Sequence, residues 1–203
     1  VDIENYGSHI FGHWNYTNAV IKNIYIVSSG DKVELFVNGK LKGFGTQSKR
    51  FLFTFENIQW ETGSIKAISY DANNKVVSEA TKTTAGTPFE IKLTPHTSPN
   101  GFLANGADVA LIDVEVVDKN GNRCPIDNSL IEFTLNGNAT WLGGIAKGPD
   151  NYILSKKLPV ENGINRILIQ SGFKADNISI SAKSKNLKSA KIILKTMSVE
   201  SKN

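Results

Sequence analysis

Three tryptophans, a pair of histidines and a scatter of carboxylates are the side chains in this 203-residue sequence that could do chemistry. A flat indole stacks on the apolar face of a pyranose while its N–H binds a hydroxyl, so Trp14, Trp60 and Trp141 invite a sugar-binding reading. Trp60 follows a Phe-rich run and suits a core or domain-edge place, which leaves Trp14 and Trp141 as the substrate-binding candidates. His9 and His13 stand four apart, the spacing that two metal ligands need on one helix face. The Ile10-Phe11-Gly12 between them is a poor helix with no third ligand close by, so no metal site is expected. Asp118-Lys119-Asn120-Gly121-Asn122 has the acid of a calcium loop, but its glycine comes fourth and no bidentate glutamate ends it, so it reads as a turn.

Cleavage of a glycosidic bond needs two carboxyl groups facing each other across it, roughly 5.5 Å apart for retention and wider for inversion, with one kept protonated. The carboxylates here do not suggest such a pair. Asp113, Glu115 and Glu34 fall on the outer faces of expected strands, and Asp71, Asp118 and Asp127 fall in turns where bonds to the backbone account for them. No catalytic residue and no cofactor are therefore expected. Cys124 is alone, which excludes an internal disulfide. Lys183, Lys185, Lys188, Lys191 and Lys195 could face an anionic partner, but solvated protection of sheet edges is the commoner reason for such a run.

The elements that must hold these groups are strands. Ile24 to Val27 and Val33 to Val37 are β-branched and aromatic runs too short for buried helices, and Asn38-Gly39 suits a type I′ reversal into Lys40 to Gly43. Alternation puts Val33, Leu35 and Val37 on one face and Glu34 and Phe36 on the other. Phe51, Phe53 and Phe55 share a face at a period of two, and Ser64 to Tyr70 turns through Asp71-Ala72-Asn73-Asn74 into Lys75 to Thr81. A strand over Phe89 to Leu93 closes this group. Pro95 to Gly101, with two prolines and a glycine, reads as a boundary. Beyond it, strands are expected at Val109 to Val117, Leu130 to Leu135, Tyr152 to Leu158, Ile164 to Gln170, Asn177 to Ala182 and Ala190 to Lys195. Turn signals every 8 to 12 residues with no helical period predict an all-β chain of two tandem immunoglobulin-like β-sandwiches. The expected order is a lead-in over 1–19, sandwiches over 20–95 and 104–197 joined by a linker at 96–103, and a tail at 198–203.

Composition narrows the partners. Net charge is +4 with 40% hydrophobic and 21% charged residues, which is too mildly basic to argue for nucleic acid. No run approaches the roughly 20 apolar residues of a membrane span, and a chain opening on Val1 reads as an excised piece. Asn15, Asn138 and Asn177 head glycosylation sequons, which would matter only in a eukaryotic secretory pathway.

Two stretches resemble one family. His9-Ile10-Phe11-Gly12-His13-Trp14-Asn15 followed by "VELFVNGKLKG" is similar to the segment after the catalytic barrel in bacterial β-galactosidases of glycoside hydrolase family 2. "GADVALIDVEVVDKNGNRCPIDNSLIEFTLNG" is similar to their C-terminal Ig-like domain, through Asp108 to Leu111, Asp118 to Gly121 and Ile131 to Gly137. The resemblance covers most of residues 9 to 143. It implies the non-catalytic end of an enzyme acting on glycans, whose nucleophile and acid/base glutamates lie on a barrel upstream of Val1. The implied partners are that missing barrel, a glycan, and a homo-oligomer formed through the parent; the implied compartment is periplasmic or secreted. The stretch containing His9 and His13 would pack the barrel's exit, and Trp14 would seal the junction while staying partly exposed. The rival reading is a stand-alone carbohydrate-binding or adhesion module, and a third is a fragment that is itself hydrolytic.

Overall fold

A computed structural model describes residues 12–16, 20–147 and 150–199, and among them there are strands and turns but no α-helix. The chain divides between Thr84 and Ala85 into two compact units. Each is an Ig-like β-sandwich, as the alternating runs predict.

The first unit contains β1 (Ile21–Val27), β2 (Lys32–Val37), β3 (Lys40–Phe44), β4 (Thr46–Lys49), β5 (Leu52–Gln59), β6 (Ser64–Tyr70) and β7 (Val76–Thr83). They form a three-stranded sheet, β1-β5-β4, and a four-stranded one, β3-β2-β6-β7, with antiparallel pairing throughout. Val33, Leu35 and Val37 point inward from β2 and meet Phe53, Phe55 and Ile58 of β5. Each such side chain contributes about 1.5–3 kcal/mol on leaving water. Asn38 and Gly39 take φ of 49° and 74°, the left-handed pair a type I′ turn requires, so the hairpin forms where its residues demand.

Phe51 departs from the expected Phe51-Phe53-Phe55 face. It sits at φ 68° in the turn between β4 and β5 and is 44% exposed, whereas Phe53 is 1% exposed. A bulky side chain in that backbone region is strained by about 1–2 kcal/mol, and the Arg50 guanidinium lies over its ring at 4.8 Å. Local alternation stops one residue short because the hairpin needs that residue for its reversal.

The second unit contains β8 (Glu90–His96), β9 (Phe102–Leu103), β10 (Val109–Val117), β11 (Leu130–Asn136), β12 (Ala139–Lys147), β13 (Asp150–Ile153), β14 (Lys157–Pro159), β15 (Ile164–Ser171), β16 (Asn177–Ser184) and β17 (Leu187–Met197). One face is β13-β12-β15-β10-β8 and the other β17-β16-β11-β14; a parallel bridge of Lys188 to Glu90 joins them at a corner, and β9 adds to β17. Ala110, Ile112, Val114 and Val116 of β10 pack against Ile131, Phe133, Ile178 and Ile180 from the opposite sheet.

Three expectations are corrected here. The strand assigned to the end of the first sandwich belongs to the second, because β8 runs on to His96 in a full ladder with β10, from Val117↔Glu90 to Leu111↔His96. The division therefore falls at 84/85 and not at 96–103. Pro95 is accepted inside β8 because the strand's other side, beyond Glu90, is a free edge that needs no N–H. Tyr152 to Leu158 is not one strand. The chain leaves β13 through Leu154 at φ 61° and crosses to the opposite sheet as β14. Lys183 does not protect an edge, because β16 is paired on both sides, and Lys188 is occupied by Glu90 at 3.0 Å.

Candidate functional site

The indoles proposed to stack on sugar are both in cores. Trp14 is 1% exposed; its Nε1 donates to the Glu61 carbonyl at 2.9 Å, and its own carbonyl accepts from Thr84 Oγ1 at 2.8 Å and Trp60 Nε1 at 3.3 Å. Tyr16 sets its ring edgewise to Trp14 and Trp60, with centroids 6.2 and 6.4 Å away. Residues 12–16, the described part of the lead-in, thus fold onto the first sandwich, and the expected partial exposure of Trp14 is corrected by that packing. Trp60 is half-buried in the same cluster.

Trp141 is 8% exposed, donates to the Ser155 carbonyl at 2.8 Å and packs on Phe133 with centroids 5.5 Å apart. Phe133 in turn donates its backbone N–H to Lys156 O at 2.8 Å. Trp141 therefore pins the crossing between β13 and β14 to the core. Neither Trp14 nor Trp141 presents a face on which a pyranose could stack.

His9 lies outside the described residues. His13 Nδ1 accepts the backbone N–H of Asn15 at 3.2 Å. Among the described residues no group of three or more His, Cys, Asp or Glu side chains is placed to hold a metal ion. A cleft of about 270 Å³ opens beside this lead-in, walled by Trp14, Tyr16, Ile24, Ile26 and Ala67 with Lys82 among its lining. Its lining is mainly apolar, and no carboxylate among the described residues is part of it.

The carboxylates are tied into local networks. Asp113 on β10 meets Arg166 Nε of β15 at 2.6 Å and His96 Nε2 of β8 at 2.8 Å, a row of three charged or polar groups across three neighbouring strands. The Arg166 hydrogen bond, opposed by some desolvation, holds the Asp113 carboxyl below its usual range. Glu115 pairs with Lys92 at 3.2 Å. Glu132 is pushed down chiefly by its bond to Lys157 at 2.5 Å, with Lys183 at 3.2 Å adding to it. Glu34 accepts the Tyr70 hydroxyl at 2.6 Å, and that bond is the main cause of a raised Tyr70 pKa.

Asp118 is buried in its turn. Desolvation raises its pKa, but N–H bonds from Gly86 (2.7 Å), Asn122 (2.9 Å) and Asn120 (2.8 Å) outweigh it and bring the net shift down. The expected turn is thus also a brace that reaches Gly86 at the start of the unit. Asp71 caps its turn in the same way through Asn73 and Lys75, each at 2.9 Å, and Asp127 accepts Ser129 N at 2.9 Å. Asp113, Asp118 and Glu132 are each shifted downward. A general acid needs the opposite.

Sequence reasoning missed the His96-Asp113-Arg166 row. The signal was there in the alternation of Glu90 to His96, which continues past Leu93, but the prolines at 95 and 99 obscured it.

Comparison with known proteins accounts for the architecture. Residues 91–193 match the glycoside hydrolase family 2 C-terminal domain 5, and residues 20–78 match a domain of unknown function, DUF4982. The chain is 40% identical over 196 residues to a "Beta-glucuronidase" of Formosa agariphila, covering 96% of the chain and 20% of that protein. It is 34% identical over 188 residues to "Beta-galactosidase BoGH2A" of Bacteroides ovatus, covering 90% of the chain and 21% of that protein. A solved β-glucuronidase of glycoside hydrolase family 2 superposes with a TM-score of 0.86 at 40% identity, over 95% of this chain and 20% of that one. The chain spans about a fifth of the length of the curated relatives it matches. With the family's C-terminal domain 5 matched across half of its residues, on a fold shared with a solved member, the chain belongs to glycoside hydrolase family 2.

Proposed function

We propose that this chain is the non-catalytic C-terminal portion of a family 2 glycoside hydrolase that removes terminal β-linked sugars from glycans. Its two sandwiches would brace the catalytic barrel and shape the rim of the active site. The observation that carries this reading is the match of residues 91–193 to a C-terminal domain of the family. The carboxylates add support: each perturbed one is held ionised by a bonded partner, which suits structure and not proton donation. The names of two relatives, a β-glucuronidase and a β-galactosidase, support a parent that acts on a β-linked uronic acid or galactose.

The test compares the 203-residue chain with the parent that contains it, using 4-nitrophenyl β-D-glucuronide and 4-nitrophenyl β-D-galactoside. Turnover is expected from the parent alone, with kcat/KM falling when residues 20–199 are deleted. Turnover by the isolated chain, or a parent indifferent to the deletion, would overturn the proposal.

A further inference from the structure

The outward face of the β14-β11-β16-β17 sheet has a composition that its core does not require. Ile178, Ile180 and Ala182 of β16 go to the core, so Ser179, Ser181 and Lys183 point out. Leu194 of β17 goes in while Lys191, Ile193 and Lys195 are exposed, and Ile131 and Phe133 of β11 go in while Glu132 and Thr134 alternate out. The register sets Thr134 beside Ser181 and Ser181 beside Lys191, with Ser179 beside Ile193. Short hydroxyls on β16 and β11 therefore lie beside Lys191 and Lys195 of β17, with Lys183 continuing the same line on β16 and Lys157 beyond β11 on β14. Glu132, directly opposite both Lys183 and Lys157, is already bonded to them. Lys191 and Lys195, four residues apart on one face of a strand, are spaced about 13 Å.

Charge and chemistry select among occupants. Protein interfaces are depleted in lysine and serine at their centres, which is what this face offers. Single-stranded nucleic acid wants aromatic platforms, and the outward positions of these four strands carry none among the described residues. A polyanion rich in hydroxyls fits: lysines pair with its carboxylates, serines and threonine bond its hydroxyls, and Ile193, 62% exposed, meets a ring's C–H face. We propose that this sheet face binds an acidic polysaccharide through Lys183, Lys191 and Lys195, with Ser179, Ser181 and Thr134 as hydrogen-bonding partners. The choice of a glycan among polyanions rests on the proposed function; the charge and the hydroxyls do not.

The probe is polygalacturonate cast into a native affinity gel at low ionic strength, with the 203-residue chain as analyte. Retardation is expected with polygalacturonate and not with neutral dextran, and it should weaken as salt screens the lysines. The triple variant K183S/K191S/K195S should bind at least about tenfold more weakly, as loss of several ion pairs implies, while K40S/K49S/K75S in the first sandwich leaves retardation unchanged. Ser181→Ala should weaken binding without altering its salt dependence. Should the triple variant lose the wild-type Tm, Lys191→Glu alone carries the same comparison. No retardation, equal retardation by a thymidine oligonucleotide, or a triple variant that binds like wild type would each sink the proposal. Hydrolysis by the parent is read in a separate assay, so a failure of this binding site and a failure of the proposed function are told apart.

Discussion

The indole N–H of Trp14 donates to the backbone carbonyl of Glu61 at 2.9 Å, 47 residues further along the chain. That bond, with the two that Trp14's own carbonyl accepts, makes Trp14 part of the first sandwich's core. Trp14→Ala removes a fully buried ring and should destabilise the first unit by about 3–5 kcal/mol. Denaturant unfolding of the 203-residue chain, followed by amide exchange on β1 and β5, reads the loss; exchange on β10 and β15 should stay as in wild type.

Asp118 gives a pH dependence with a definite sign. Its folded pKa lies below the unfolded value, so the stabilisation is present above about pH 4 and is lost as pH falls through the lower folded value. Asp118→Ala leaves the N–H groups of Gly86, Asn120 and Asn122 short of their acceptor and should cost about 1–3 kcal/mol at pH 7. The difference between wild type and variant should shrink as pH falls below about 4, as measured by urea midpoints.

Arg166→Gln removes the main support of the ionised Asp113 carboxylate, so that carboxyl should titrate at higher pH than in wild type. Carboxyl carbon shifts in an NMR titration report it. Stability at pH 7 should fall by less than about 1 kcal/mol, because Arg166 is half in solvent.

Phe51 and Phe53 are two residues apart and should answer oppositely to truncation. Phe53→Ala empties a core site and is expected to cost about 3–5 kcal/mol. Phe51→Gly should change stability by less than about 1 kcal/mol, since relief of its left-handed backbone offsets lost contact and glycine's added chain entropy. Equal losses in thermal unfolding would contradict the placement of Phe51 in the turn.

Cys124 is 1% exposed and its thiol is pushed up to about 11, mainly by burial and then by the charges of Asp118 and Asp127. Thiolate is the reactive form. Ellman's reagent at pH 8 should therefore report almost no thiol in the native chain and one per chain in 6 M guanidinium chloride.

What the sequence by itself determined were the local decisions. Runs of alternating β-branched and aromatic residues made strands, Asn38-Gly39 made a reversal, and Asp71 and Asp118 made turns, because each depends on sterics and bonds within a few residues of itself. The family was legible too, in the His9 to Asn15 lead-in and the two quoted stretches. Tertiary structure alone decided which strands pair. Alternation from Glu90 to His96 is satisfied by any sheet with one buried face, and only the ladder to β10 assigns it to the second sandwich. The same holds for the tryptophans: an indole suits a core as well as a sugar, and what settled Trp14 and Trp141 was the arrival of Glu61 and Ser155 carbonyls at their N–H groups. Long-range pairing sets both outcomes, and it leaves no mark within a short window of sequence.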